Sequence, residues 1–118
     1  MNQLSKIELQ EIAQIMANAS GASKIILFGS RARGDFDSSS DWDFLLVMRD
    51  SDWKWDGDMF EKLEPAMLAK DALYRLGRYY PMDVLPMAQK RFAEPDSLLA
   101  TEVKRDGIVL FDAEVNHA

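Results

Sequence analysis

The sequence predicts one α/β (α+β) domain in which short buried strands alternate with amphipathic helices. Three observations predict it. The runs "KIILF" and "DFLLVM" are apolar almost throughout and short, the pattern of strands covered on both faces. The segments Leu9–Met16 and Ala69–Leu76 instead repeat apolar residues at i, i+3, i+4 and i+7, one face of a helix. Glycines and prolines fall between these segments, where turns belong. At 118 residues, with no repeat and no low-complexity tract, residues 1–118 read as a single domain.

The elements follow in order. A first helix starts near Ser5, because Ser5 and Glu8 have the spacing of a capping box. Leu9, Ile12, Ala13 and Met16 give it one apolar face, and Gly21 suits its end. Lys24 to Phe28 is the first strand and Asp43 to Met48 the second. A second long helix is expected from Pro65, a residue that suits a first helical position, to Leu76, with Gly77 as its stop. Ala69, Ala72, Leu73 and Leu76 line its face. A third strand is expected over Met82 to Leu85, bracketed by Pro81 and Pro86. The last helix takes Asp96 or Ser97 as its cap and Gly107 as its stop, with Lys104 and Arg105 suiting the dipole of its final turn. "IVLF" reads as a terminal strand.

Composition narrows the function. Hydrophobic residues make up 47% of the chain, enough for a real core. No apolar run approaches the roughly 20 residues a membrane helix needs, and "MNQLSKIELQ" has no signal-peptide pattern. The absence of cysteine excludes disulfides and thiolate metal sites and fits a cytoplasmic protein. A net charge of −6 argues against direct nucleic-acid binding, which usually needs a basic face.

The chemistry concentrates in "LFGSRARGDFDSSSDWDFLLV", Leu27 to Val47. Side chains at i and i+2 of a strand share a face, roughly 6.6 Å apart, so Asp41 and Asp43 aim two carboxylates at one region. Burying such a pair without a counter-charge is costly. A hard divalent cation removes that cost, and magnesium suits oxygen ligands and phosphates. Asp83 opens another strand, and if the two strands are neighbours it joins the cluster. Three carboxylates on one pocket can hold two metals about 4 Å apart. Gly29 leaves room for a phosphate at the backbone, and Ser30 adds a hydroxyl and N–H groups at a turn. Arg31 and Arg33 suit either a phosphate contact or a salt bridge within the loop. A bland alternative stands beside each acid: Asp41 as a cap at the start of the strand, Asp43 solvated, Asp83 paired with a nearby Arg or Lys.

Gly29-Ser30, Ala32-Arg33-Gly34 and Ser40-Asp41-x-Asp43 between two strands resemble the signature of the nucleotidyltransferase superfamily that includes DNA polymerase beta. Within it the chain is similar to the minimal nucleotidyltransferases, antitoxin partners of helical HEPN toxins. The resemblance implies a small mixed sheet flanked by helices. It implies ATP as substrate, two Mg2+ ions held by Asp41, Asp43 and Asp83, and triphosphate binding by Gly29 and Ser30 with Arg33 as counter-charge. Asp83 matches the acid that helps activate the acceptor, on a weaker motif. The implied reaction transfers AMP to a tyrosine of a HEPN-family ribonuclease toxin in a hetero-oligomer. A small-molecule nucleotidyltransferase of the aminoglycoside-modifying kind and a non-catalytic antitoxin acting by contact are the alternative readings.

Other residues stand outside this motif. Asp35 and Asp37 read as solvated loop residues. Trp53 and Trp55 suit an interface, a cover for the nucleotide or core packing equally. Tyr79 and Tyr80 are expected at the edge of the third strand, and His117 in the tail.

Overall fold

Ser5 and Glu8 cap each other across one turn: Glu8 N donates to the Ser5 hydroxyl and Ser5 N to the Glu8 carboxylate, both at 3.1 Å. This pair opens the first helix, α1 (Lys6–Ser20), which ends at Gly21 with φ 78°. Leu9, Ile12, Ala13 and Met16 are buried, as their spacing predicts. The computed structural model describes residues 3–51 and 59–116. Trp53, Trp55 and His117 lie outside the described residues.

Strand β1 (Lys24–Phe28) follows, then a short helix α2 (Ser30–Arg33) and strand β2 (Trp42–Met48). Helix α3 (Met59–Arg75) leads to strand β3 (Met82–Ala88), helix α4 (Gln89–Ala93), helix α5 (Leu98–Asp106), strand β4 (Ile108–Asp112) and helix α6 (Ala113–Asn116). The strands lie in the order β3-β2-β1-β4. β1 pairs antiparallel with β2 and β4, while β2 and β3 run parallel, so the sheet is mixed.

Several boundaries differ from the sequence expectation, two of them by more than one residue. Helix α3 begins before Pro65, which stands inside it. Proline there removes one intrahelical hydrogen bond; burial of Ala66, Ala69 and Leu73 holds the helix nonetheless, while Leu76, beyond its end, is exposed. Strand β3 continues through Pro86 to Ala88. It tolerates proline because it is an edge strand, where a missing N–H can face away from the ladder. The opposite edge, β4, carries an irregularity in its pairing with Ile25 and Ile26. Both edges thus carry features that discourage pairing with another sheet. The short helices α4 and α6 had no distinct signal in the sequence.

The sheet is covered on both faces, as its continuous apolar strands require. On one face Ile25, Leu27, Phe44 and Leu46 pack with Ile12 and Met16 of α1 and Leu73 of α3. On the other, Ile26, Leu45 and Val47 pack beneath Val103 of α5, with Phe92 and Leu99 alongside. Asp43 alternates with the first set along β2 and so belongs to the second face, at the end that α5 leaves uncovered. Ser97 caps α5 by accepting from Ala100 N at 3.1 Å. Gly107 ends α5 with an ordinary φ of −71°. A Cβ there would overlap the Val103 carbonyl and crowd Ile26, so the reason for glycine is space rather than backbone freedom. Among the described residues no helix is long and apolar enough to cross a membrane.

Gly107→Ala is expected to lower stability by about 1–3 kcal/mol, the usual cost of overpacking. Urea unfolding checks this; an unchanged midpoint would show that α5 can shift off β1 freely.

Candidate active site

The site starts where β1 ends. Gly29 has φ 75° and ψ −160°, a combination essentially reserved for glycine. A Cβ there would also overlap the Asp43 carboxylate. Backbone and side chain therefore demand glycine for two independent reasons. The Gly29 carbonyl accepts from Ala32 N at 3.1 Å and Arg33 N at 3.0 Å, which bends the chain into α2 directly after the strand. Ser30 opens that helix and Gly34 closes it.

Strand register brings the acids together. Asp43 pairs with Phe28 on one side and with Asp83 on the other. Residues directly opposite on neighbouring strands project from the same face, so Asp43 and Asp83 stand side by side. Asp41, two residues earlier, adds its charge nearby. Asp43 is half-buried, whereas Asp41 and Asp83 are exposed. Burial pushes the Asp43 pKa up, the charges of Asp83 and Asp41 push it further, and Arg33 opposes them. No ion pair among the described residues engages Asp83.

These acids share one side of the sheet without closing into a cage. Among the described residues no three acidic or histidine side chains converge tightly enough to hold an ion as they stand. The donor chemistry nevertheless fits a hard divalent cation: the ligands are carboxylate oxygens, and Asp43 is an acid disfavoured in its charged form by its neighbours.

The two arginines divide. Arg33 is partly exposed, donates to Asp35 at 3.2 Å, and opposes the rise in the Asp43 pKa; Asp106, held below its ordinary value chiefly by Arg105, also feels the Arg33 charge. Arg33 is thus the cation facing the acids. Arg31 is buried instead, stacked 4.4 Å from the rings of both Phe36 and Trp42. Sequence reasoning left Arg31 open between phosphate and loop; aromatic residues five and eleven positions ahead were the only signal of its burial. Asp106, at the end of α5, was missed, since only the packing of α5 brings it towards Arg33.

The loop between α2 and β2 is ordered by its own side chains. Asp37 accepts from Ser39 N at 2.8 Å and Ser39 Oγ at 2.6 Å, which holds its pKa below the usual value. Asp35 and Asp37 are exposed, as expected, but each has a partner. Tyr80 packs beside the main core, and its hydroxyl accepts from Arg78 at 3.0 Å; Tyr79 is exposed and meets Tyr74 edge-on. A cavity of about 340 Å³ lies by these tyrosines, bounded by Leu73 and Met82 of the α1–α3 side of the sheet. It is therefore on the face away from Asp43.

A sequence profile of the family described as polymerase beta, nucleotidyltransferase, matches residues 10–116. The chain belongs to that family. Among solved structures it is similar to a candidate nucleotidyltransferase from Sulfolobus solfataricus, at 20% identity and a TM-score of 0.57, over 100% of this chain and 97% of that one. It is also similar to a toxin–antitoxin structure containing AMP-PNP, at 17% identity and a TM-score of 0.55, over 87% of this chain and 73% of that one. At these identities the likeness concerns the fold. A search of curated proteins finds no match.

A raised Asp43 pKa means the folded chain holds that proton more tightly than the unfolded chain does. Stability therefore falls as pH rises from the ordinary aspartate range through the raised value. In chelator, Asp43→Asn is expected to be more stable than wild type at pH 7, with the gain vanishing at acid pH. Denaturant unfolding across pH checks this; a less stable Asp43→Asn at neutral pH would mean the carboxylate makes a net favourable contact.

Proposed function

We propose that this member of the polymerase beta nucleotidyltransferase family transfers AMP from ATP to a tyrosine hydroxyl of a HEPN-type ribonuclease toxin, and so acts as its cytoplasmic antitoxin. The observation that carries the reading is the register of Asp43 with Asp83 beside the bare α-carbon of Gly29. The similarity to a toxin–antitoxin structure containing AMP-PNP supports the choice of nucleotide and partner class.

Asp41, Asp43 and Asp83 are the residues that would hold two Mg2+ ions. When bound, such ions neutralise the triphosphate and stabilise charge developing on the α-phosphate. Gly29 and Ser30 receive the phosphates, the serine through its hydroxyl and the glycine by making the turn that presents it, since the space beside its α-carbon is taken by the Asp43 carboxylate. Asp83, exposed at the start of β3, accepts the proton of the incoming hydroxyl. The hydroxyl oxygen bonds to the α-phosphorus, and the bond from that phosphorus to the bridging oxygen breaks. Pyrophosphate leaves with the electron pair, and Arg33 supplies a positive charge beside it. The acids lie on an open end of the sheet, so a partner protein can present its own hydroxyl.

Incubation of the co-purified partner with ATP and Mg2+ is expected to add one or more AMP units, read by intact mass. Asp41→Ala combined with Asp43→Ala is expected to lower transfer at least about a hundredfold while the far-UV spectrum stays unchanged. Transfer that survives the double change would falsify the metal assignment. A partner that is inhibited yet unmodified makes the protein a binder rather than an enzyme. A small hydroxylated acceptor modified in place of the partner makes it a small-molecule transferase.

Mg2+ with AMP-PNP is also expected to raise the melting temperature. Ligand at a hundred times its dissociation constant stabilises by about 2.7 kcal/mol. The rise should disappear in EDTA; a rise that persists there would separate nucleotide binding from the metal.

A further inference from the structure

We propose that Arg31 is the positioning residue of the Asp41–Asp43 pair, a role that rests on the functional reading above. Among the described residues the buried polar side chains are Ser23, Arg31 and Ser97, and of these only Arg31 is charged. Its guanidinium lies 4.4 Å from the ring centres of both Phe36 and Trp42. Its Nε and Nη2 donate to the Ser40 carbonyl at 3.3 and 3.0 Å. Ser40 immediately precedes Asp41, and Trp42 immediately follows it. One side chain therefore grips the chain on both sides of a carboxylate it does not touch.

The grip extends in two directions. Arg31 is the residue after Ser30, so it belongs to the turn assigned to the phosphates. Trp42 is buried in the main core, and its N–H donates to the Pro81 carbonyl at 2.9 Å. That carbonyl lies two residues before Asp83, and Trp42 pairs in register with Met82. Arg31 thus ties the phosphate turn to the backbone that carries all three acids. Arginine suits this place because its planar group can lie against aromatic rings while its edge still donates; lysine keeps the charge and a donor but cannot stack in that way.

The test uses the full chain and Arg31→Met, Arg31→Lys and Phe36→Ala, the last a milder change should Arg31→Met fail to fold. Amide hydrogen exchange reports the backbone over 35–42, and calorimetric titration with Mg2+–AMP-PNP reports binding. In Arg31→Met the amides over 35–42 are expected to exchange at least about tenfold faster and the dissociation constant to rise about 10–100-fold, the usual effect of losing an outer partner of a metal ligand. Amides of α1 and α3 should be unaffected, Arg31→Lys should recover part of both losses, and Phe36→Ala should show smaller losses of the same kind. Unchanged exchange over 35–42, or faster exchange with unchanged binding, overturns the role of Arg31. Wild-type protein that binds no Mg2+–AMP-PNP overturns the functional reading and this role together. Wild-type and variant chains that bind equally well overturn this role alone.

Discussion

The carboxylate of Asp43 occupies the space where any residue other than glycine at position 29 would place its Cβ. Much of the site follows from that contact. It forces the φ 75° turn to be made without a side chain, and the same turn sends the chain straight into α2. It holds Asp43 against the end of β1, where the register of β2 and β3 sets Asp83 beside it. The arrangement is unfavourable on its own terms, since a half-buried acid stands among like charges. The rest of β2 holds it in place: Phe44, Leu45, Leu46, Val47 and Met48 are all buried, and their alternation leaves Asp43 only one face to occupy. Strain of this kind persists where the surrounding structure over-determines it.

The position of the site follows from what the helices fail to cover. α1 and α3 close one face of the sheet. On the other, α5 reaches Ile26, Leu45 and Val47 through Val103 and stops at Gly107. The ends of β1, β2 and β3 beyond that point carry Gly29 and Asp43, which are half-buried, and Asp83, which is exposed. A longer α5, or one displaced by a side chain at 107, would change how much of this end is accessible. The polar loop "DFDSSSD" is pinned by Asp37 to its serines and by Arg31 to Ser40, so Asp41 enters the site from a loop with defined geometry.

Much of this was legible in the sequence where one local rule acted alone. The Ser5–Glu8 box marked the start of α1, and the apolar run "KIILF" coincides with β1 residue for residue. The reading weakened where tertiary context overrode a local preference. Pro65 signalled a helix start but lies inside α3, because burial on its apolar face outweighs one lost hydrogen bond. Pro86 signalled a strand end but lies inside β3, because an edge strand can spare an N–H. The side-by-side placement of Asp43 and Asp83 depended on strand order, which no local pattern encodes. Arg31 and Arg33, two residues apart and alike in type, have opposite fates because only one lies within reach of two aromatic rings.

Charge supplies the last step. The chain carries a net −6, and the open end of the sheet gathers Asp41, Asp43 and Asp83 against Arg33, which is already shared with Asp35. Arg31 adds little there, being buried beside the rings of Phe36 and Trp42. An unaccompanied triphosphate approaching this surface would face repulsion of about 4 kcal/mol for each pair of like unit charges brought within about 4 Å near a protein surface. One shared arginine cannot offset that. On the proposed function, the acids and an anionic nucleotide would be compatible only with cations between them, so the residues that would repel the substrate would make its entry conditional on the metal. If the proposed function holds, divalent cations and nucleotide would bind as one thermodynamic unit, each raising the affinity of the other by the same factor.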